Sequence, residues 1–298
     1  MQTYKHQIGL VAAAPTGFLA DGRVDLAVIP HLAEHLQKQG VAGVFINGTT
    51  GESMSLTVAE RVAQAEAWRR ACPPSIRLYV HVGHNSVAEA RQLAAQAQAL
   101  GADAVASIAP GFFKPARAAD LAEWCAEVAG GAPELPFYFY HMPSMNGVGF
   151  AMTPFLEIAG PRIPNLAGIK FTFESLADYQ AAQAVADGRY DILWGRDEML
   201  LGALATGARG AVGSTYNVAA PLFLDLMAAF ARGDLATARE RQLQAIGMIN
   251  AMIATGNFFV ALKAMLRAQG VPISTRVRLP LANLDDQALQ APEVPCLQ

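Results

Sequence analysis

Short apolar runs alternate along the chain with longer segments of helical periodicity, from about residue 6 to residue 232. Several of the short runs are apolar at consecutive positions, as in Gly-Val-Phe-Ile at 43–46. Strands that are covered on both faces of a parallel sheet have this pattern, whereas a one-sided antiparallel sheet alternates apolar and polar residues. We therefore predict eight parallel strands, at residues 8–14, 43–46, 77–82, 104–109, 137–141, 168–172, 191–194 and 210–214.

A helical segment follows each predicted strand. Two of the helix starts carry a capping-box sequence, Thr57-x-x-Glu60 and Ser86-x-x-Glu89, in which the hydroxyl and the carboxylate reciprocally satisfy free backbone donors. The predicted helices span residues 25–39, 58–71, 87–100, 118–129, 154–160, 176–187, 198–206 and 221–232.

Eight strand-helix units within about 230 residues predict an α/β fold, a (β/α)8 TIM barrel. A doubly wound open sheet is the alternative. Its nucleotide-binding form loses its main support, because neither Gly-x-Gly-x-x-Gly nor Gly-x-x-x-x-Gly-Lys-Ser/Thr follows a strand. Further helical stretches at 236–255 and 258–268 predict a C-terminal helical extension. We expect a barrel catalytic domain at 1–232 and the extension at 233–298.

The composition predicts extensive burial. Apolar residues make up 53% of the 298 residues and charged residues 16%, below the roughly 25% of ordinary globular proteins, so disorder is excluded and some burial between subunits is expected. The 22 basic and 25 acidic residues are scattered without runs and give a net charge of −3. Because such a pattern provides no electrostatic footprint for nucleic acid or an anionic membrane, we expect neither partner.

The three cysteines are Cys72, Cys125 and Cys296. They are too few and too dispersed for a disulfide framework, so we expect a reducing cytoplasm and inert packing thiols at Cys72 and Cys125. Residues 1–8 lack the apolar core of a signal peptide, and no stretch reaches the roughly 18 apolar residues of a bilayer span. These features predict a soluble cytoplasmic protein.

Lys170 is the only one of the five lysines that lies within a predicted strand. Burial inside a barrel would disfavour its ammonium form and lower its pKa, which leaves neutral amine for attack on a carbonyl. That is the chemistry of a Schiff base. The alternative is a lysine whose stem packs apolarly while its amine reaches out to solvent.

The turn after the second strand contains the sequence Gly48-Thr49-Thr50-Gly51-Glu52. Its glycines permit close approach of the backbone, and its hydroxyls stand beside exposed backbone donors, which suits a carboxylate or phosphate oxygen. The alternative is an ordinary turn that Glu52 braces. Its position at the carboxyl end of a strand, where barrel active sites form, favours binding.

Tyr140 lies near the catalytic end of the fifth strand. Side-chain alternation places Tyr138 and Tyr140 on one side of this strand and Phe139 and His141 on the other. A phenol at this end can carry protons to and from a substrate hydroxyl. The alternative is aromatic packing with a satisfied hydroxyl.

No metal site or cofactor is expected. His81 and His84 are three residues apart, and an odd offset along a strand directs the two rings to opposite faces. The turn Gly213-Ser214-Thr215 follows the eighth strand, where many barrels bind phosphate, so a phosphorylated substrate stays open.

Four motifs in this order and spacing resemble the pyruvate-dependent Schiff-base lyases, the family that includes dihydrodipicolinate synthase and N-acetylneuraminate lyase. The resemblance runs through the barrel and into the C-terminal helices. Within the family, Tyr-His-Met-Pro-Ser-Met-Asn-Gly-Val and Ala-Val-Gly-Ser-Thr-Tyr-Asn are most similar to the N-acetylneuraminate lyase branch. The motifs are Gly48-Thr49-Thr50-Gly51-Glu52, Tyr140-x-x-Pro143, Gly168-Ile169-Lys170 and Gly213-Ser214-Thr215.

The resemblance implies a class I aldolase that cleaves N-acetylneuraminate to N-acetylmannosamine and pyruvate. Lys170 would attack C2, and the imine would accept electrons as the C3–C4 bond breaks, while Tyr140 removes the C4 hydroxyl proton. The carboxylate would bind at the turn, and the sugar tail at two acidic residues, whose alternative role is to complement a helix dipole. The implied substrate-binding residues are Thr49, Thr50, Thr172, Gly195, Asp197, Glu198 and Ser214. The resemblance also implies a homotetramer.

Two positions depart from the family pattern. Dihydrodipicolinate synthase carries an arginine two residues after the strand-5 proline, whereas this chain has Met145, which disfavours the synthase. Many relatives place a tyrosine of the proton relay where this chain has Phe112. Since Phe112 carries no transferable proton, water or substrate groups would have to substitute.

Two other functions stay open. One keeps the imine but acts on 2-keto-3-deoxy sugar acids, as another lyase or a dehydratase. The other is a catalytically silent barrel that binds a keto acid or serves as a regulatory subunit. The presence of both Lys170 and Tyr140 disfavours silence, because binding alone requires neither a nucleophile nor a proton carrier.

Overall fold

Eight parallel strands form a closed barrel in sequence order, as the alternating pattern predicts. The computed structural model describes residues 4–284. The TIM-barrel prediction is confirmed. The strands are β1 (Gly9–Ala13), β2 (Gly43–Ile46), β3 (Arg77–His81), β4 (Ala104–Ile108), β5 (Phe137–His141), β6 (Leu166–Phe171), β7 (Asp191–Trp194) and β8 (Gly210–Gly213).

Helices surround the barrel and continue beyond it into a C-terminal extension, which is also as predicted. Helix α10 packs on α8 and α9, and α11 packs on α9 and α10. Residues 285–298 of the predicted extension, with Cys296, lie outside the described residues. The helices are α1 (Ile29–Lys38), α2 (Val58–Ala71), α3 (Val87–Ala99), α4 (Ala118–Ala129), α5 (Pro143–Asn146), α6 (Met152–Ala159), α7 (Leu176–Ala184), α8 (Leu200–Ala205), α9 (Tyr216–Ala231), α10 (Leu235–Ala254) and α11 (Phe258–Ala268).

Helix α9 begins at Tyr216, whereas the sequence predicts a start at Pro221. The backbone leaves helical geometry at Ala219, and Pro221 follows this break. In a regular helix the N–H of residue 221 would donate to the carbonyl of Asn217, but proline has no N–H. This carbonyl instead accepts a hydrogen bond from His35 Nε2 at 2.8 Å. A side chain from another helix thus replaces the helical bond, which a local pattern does not reveal. The short α5 was not predicted either.

The two predicted capping boxes differ. At Thr57 both halves are formed, because its hydroxyl accepts from Glu60 N and the Glu60 carboxylate accepts from Thr57 N. At Ser86 only the hydroxyl half is formed, with Glu89 N. The N–H of Ser86 donates instead to His84 Nδ1 at 3.0 Å, so the prediction of a full box there is wrong.

Side chains on the inner face of the barrel form a cluster that is separate from the layer between strands and helices. On β5 the inner cluster contains Tyr138 and Tyr140, whereas Phe139 belongs to the outer layer, so the predicted alternation is confirmed. The predicted packing thiols Cys72 and Cys125 are both buried in the outer layer.

Strand β6 carries one extra residue relative to β5. Phe137 pairs with Leu166 but Tyr138 pairs with Gly168, so Ala167 has no counterpart. A Cβ atom at position 168 would collide with the carbonyl of Asp191 on β7, which restricts this position to glycine. Beyond this bulge the pairing is regular, and Lys170 lies beside Tyr140.

Within residues 4–284, no single helix is both long enough and apolar enough to cross a membrane. Helices α10 and α11 pass that test of length and composition only as a pair, bent by 114°.

Candidate active site

A cavity of about 330 Å³ opens at the carboxyl ends of the strands, and all nine sequence-predicted site residues line it. This volume lies within the usual range of small-molecule sites, roughly 300–1,000 Å³. The nine residues come from the ends of β2, β5, β6, β7 and β8, as expected for a barrel site. They are Thr49, Thr50, Tyr140, Lys170, Thr172, Gly195, Asp197, Glu198 and Ser214.

The amine of Lys170 points into this cavity and not out to solvent. The residue is 5% exposed, and its Nζ lies 4.0 Å from the ring centre of Tyr140 and 4.1 Å from that of Phe45. Burial lowers the pKa of Lys170 to about 7, against a smaller opposing effect of the Asp197 carboxylate. Near neutral pH a large fraction of this amine is therefore unprotonated and nucleophilic.

The phenol of Tyr140 lies beside that amine. Its hydroxyl is 3.2 Å from Thr49 Oγ1 and donates to Met142 Sδ at 2.8 Å. Burial raises the pKa of Tyr140 to about 12, although the Thr49 hydroxyl lowers it. The phenol is therefore protonated at rest, and it can accept a proton only if it passes its own to a neighbour.

The turn after β2 presents free backbone donors to the cavity. The N–H groups of Thr49 and Thr50 find no acceptor within residues 4–284, whereas Glu52 N bonds to Thr49 O. The Thr50 hydroxyl lies 2.7 Å from Ser214 Oγ, which joins the turn to the end of β8. Two hydroxyls and two free amides form a site for an anionic oxygen.

Long-range contacts hold this turn in place. The Glu52 carboxylate is fully buried and accepts from Lys263 Nζ of α11 at 2.6 Å and from Arg278 N at 2.9 Å. The Thr16 hydroxyl donates to Gly51 O at 2.7 Å. The sequence suggests that Glu52 braces its own turn. In the structure Glu52 does so through partners in the C-terminal extension, Lys263 and Arg278.

The two acidic residues after β7 have different surroundings. Asp197 is 6% exposed, and its Oδ2 accepts from the N–H of Thr215 at 2.9 Å and from its hydroxyl at 2.5 Å. Burial raises the pKa of Asp197 to about 6. Glu198 is partly exposed at the cavity mouth, where it pairs with Arg196 at 3.3 Å, and Arg196 also pairs with Glu174.

Thr172 and Gly195 fit together at the ends of β6 and β7. A Cβ atom at position 195 would collide with the Thr172 hydroxyl. Glycine at 195 therefore leaves room for this hydroxyl beside the cavity.

Sequence reasoning missed the outer wall of the cavity. Ile249 and Ile253 of α10 and Phe258 and Phe259 of α11 line it, together with Met142, Met145 and Arg196. The apolar periodicity of α10 and α11 indicates a buried face, but it does not indicate that part of this face borders a cavity.

The remaining candidates lie apart from the cavity. Phe112 is 77% exposed and packs edge-on against Phe113. His81 uses both ring nitrogens, one with Asn47 O at 2.7 Å and the other with Ile108 N at 3.2 Å. Among the residues that the structure describes, no three His, Cys, Asp or Glu side chains are grouped to hold a metal ion.

Comparisons with known proteins give one family. The model of the dihydrodipicolinate synthetase family matches residues 6–294. The N-acetylneuraminate lyase of Gallus gallus is 39% identical over 285 residues, covering 94% of this chain and 92% of that protein. The N-acetylneuraminate lyase structure of Proteus mirabilis matches with a TM-score of 0.92 and 39% identity over 95% of both chains. A catalytic lysine mutant of the Ruminococcus gnavus sialic acid aldolase matches with a TM-score of 0.89 and 28% identity, over 94% of this chain and 91% of that chain.

Proposed function

The chain belongs to the dihydrodipicolinate synthetase family, and we infer that it is a carbon-carbon lyase, a class I aldolase that cleaves N-acetylneuraminate to N-acetylmannosamine and pyruvate. The observation that carries the mechanism is the buried amine of Lys170, whose pKa of about 7 makes it a nucleophile near neutral pH.

Lys170 Nζ attacks C2 of the open-chain keto acid, and loss of water from the carbinolamine gives a protonated imine. The imine accepts the electron pair of the C3–C4 bond as that bond breaks, which leaves an enamine on Lys170 and an aldehyde at C4. The enamine takes up a proton at C3, and water hydrolyses the resulting imine to free pyruvate and the lysine amine.

Tyr140 carries the proton that leaves the C4 hydroxyl. Since the phenol is protonated at rest, it accepts this proton while it passes its own to the Thr49 hydroxyl, 3.2 Å away. Thr49 is only partly buried, so it can hand the proton to water or to the substrate. This route needs no proton carrier at Phe112, which lies outside the cavity wall.

The remaining residues bind the two ends of the substrate. The free amides and hydroxyls of Thr49 and Thr50, with Ser214, hold the carboxylate. Asp197 and Glu198 accept hydrogen bonds from hydroxyls of the sugar tail, and Thr172 and Gly195 shape the pocket between the two ends.

The working form is a cytoplasmic homotetramer whose partner is the small-molecule substrate. Apolar side chains on the surface of one chain support this assembly, since Phe112, Phe113 and Leu243 are 77%, 84% and 68% exposed. Light scattering from the purified protein tests it, and a monomer at micromolar concentration would contradict it.

Reductive trapping tests the mechanism. Incubation with pyruvate and borohydride should leave a stable adduct on Lys170, and Lys170→Ala should form none. Turnover of N-acetylneuraminate beside 2-keto-3-deoxy sugar acids tests the substrate. A preference for the deoxy acids would contradict the sialic acid assignment while leaving the imine intact.

A further inference from the structure

Three cations lie behind the carboxylate-binding turn, and two of them have carboxylate partners. Lys263 pairs with Glu52 at 2.6 Å, and Arg278 pairs with Glu60 at 2.5 Å. The third is Arg61 of α2, which is 1% exposed and forms no ion pair within residues 4–284. A buried charge without a counter-ion is costly unless other groups compensate it.

The guanidinium of Arg61 is held by backbone carbonyls at the end of β3. Its Nη1 donates to Gly83 O at 2.9 Å and its Nη2 to His81 O at 2.7 Å. Its Nε is buried and has no hydrogen-bond partner among the residues that the structure describes. Burial lowers the pKa of Arg61 to about 10, so the group still carries its full charge at neutral pH.

The main-chain carbonyl of Arg61 is connected to the start of the turn. Asn47, which adopts a left-handed backbone with φ 57°, donates from Nδ2 to Arg61 O at 2.9 Å. Its own carbonyl accepts from His81 Nδ1, so this nitrogen carries the proton of a neutral ring. The neutral imidazole therefore does not cancel the charge of Arg61. Thr49 follows Asn47 by two residues.

We propose that Arg61 is an electrostatic positioning residue for the carboxylate of the keto acid. Its main-chain carbonyl anchors Asn47 at the start of the turn, and the uncompensated charge of its guanidinium favours an anion at the free amides of Thr49 and Thr50. The substrate carboxylate then serves as the missing counter-charge, although it does not touch Arg61. This proposal deepens, and rests on, the carboxylate site of the proposed function.

The test compares a charged and an uncharged ketone. The second-order rate constants for cyanoborohydride trapping on Lys170 are measured with pyruvate and with methyl pyruvate, its neutral ester. Arg61→Gln retains a donor but removes the charge, and it should lower the pyruvate-to-ester ratio about tenfold, the order of magnitude for a nearby unit charge that does not touch the carboxylate, at an effective dielectric constant of about 20. Arg61→Lys should retain the ratio, as should the control Arg70→Gln on the exposed face of α2.

An equal loss with both ketones in Arg61→Gln, or no loss, would overturn the electrostatic role. If that variant does not fold, Gln64→Glu replaces it. Gln64 lies about one turn along α2, and its buried amide nitrogen has no partner within residues 4–284. Residues three apart on a helix are neighbours, so a carboxylate at position 64 supplies Arg61 with a counter-ion. The pyruvate-to-ester ratio should again fall, and an unchanged ratio would contradict the proposal.

Failure of the aldolase mechanism gives a different result. In that case neither ketone is trapped on wild-type Lys170. Calorimetry on the same variants then gives the dissociation constants of pyruvate and methyl pyruvate. The ratio of these two constants still decides the role of Arg61.

Discussion

The two ends of the barrel interior contain similar residues that are satisfied to different degrees. At the amino end, Tyr138 donates to the buried carboxylate of Asp191 at 2.9 Å, and Gln7 N donates to the same oxygen at 2.9 Å. Tyr79 closes this end through a 2.8 Å hydrogen bond to Gln7 Oε1. At the carboxyl end, Tyr140 has a weaker contact with a threonine hydroxyl and faces an open cavity.

Tyr138 and Tyr140 are two residues apart on one strand, and both are buried. The difference between them shows that burial alone does not create a reactive site. At the amino end every hydrogen-bonding group named above is already partnered, so that end stabilises the barrel. At the carboxyl end the lysine amine and the amides of the turn are left available to a substrate.

The largest expected effect comes from removing the nucleophile. Lys170→Met should lower turnover of N-acetylneuraminate by about 10⁴-fold or more, because no other amine lines the cavity in the described residues. Its melting temperature should equal or exceed that of the wild type, because a buried amine is replaced by an apolar chain of similar length. Retained turnover in this variant would contradict the claim that the carboxyl end of the barrel interior is the reactive one.

Paired substitutions test the comparison directly. Tyr140→Phe should lower kcat by about 10²- to 10⁴-fold with little change in melting temperature, since it removes a proton carrier. Tyr138→Phe should leave kcat unchanged and cost about 1–2 kcal/mol of unfolding free energy, because Asp191 loses a hydrogen bond. Similar kinetic losses in both variants would contradict the assignment.

The pH dependence of pyruvate trapping distinguishes the carboxylate of Asp197, at the carboxyl end, from that of Asp191, at the amino end. With a Lys170 pKa of about 7, the rate of pyruvate trapping should rise about tenfold from pH 6 to pH 8 and then level off, as the neutral amine accumulates. Asp197→Asn should move the midpoint lower, because its carboxylate raises that pKa. Asp191→Asn at the closed end should leave the midpoint unchanged. A rate that still rises tenfold per unit above pH 8 would argue against a depressed pKa.

The smallest effect concerns the outer face of the same strand. Both ring nitrogens of His141 are buried and have no hydrogen-bond partner in the described part of the chain, and burial lowers the pKa of His141 to about 4. The unfolded chain therefore binds the proton more readily, so stability falls as the pH drops below about 6.5 and continues to fall to about pH 4. His141→Phe should gain about 1 kcal/mol relative to the wild type between pH 8 and pH 5.5, measured by thermal melting. Parallel pH profiles for the two proteins would rule this out.

The barrel, Lys170, Tyr140 and the turn with Thr49 and Thr50 could be predicted because each has a local signal. The other cavity residues are predicted only through the family resemblance. A lysine within an apolar run and a Gly/Thr turn after a strand are visible in the sequence without knowledge of the fold. The closure by Gln7 and Asp191, the Lys263 brace and the burial of Arg61 have no such signal. They depend on which distant segments of the chain come into contact. A polar residue in a helix is predicted to be exposed unless its neighbours in the fold are known.

The extra residue in β6 decides in which layer of the protein the amine of Lys170 lies. Side chains alternate along a strand, so an inserted residue reverses the facing of every later one. Ala167 faces the inner cluster and Ile169 the outer layer, although they are two positions apart. With regular alternation from Leu166, which lies in the outer layer, Lys170 would face the helices, so the bulge turns its amine inward without changing any residue of the site. The one-residue bulge in β6 is thus as necessary for placing the amine in the cavity as the lysine itself.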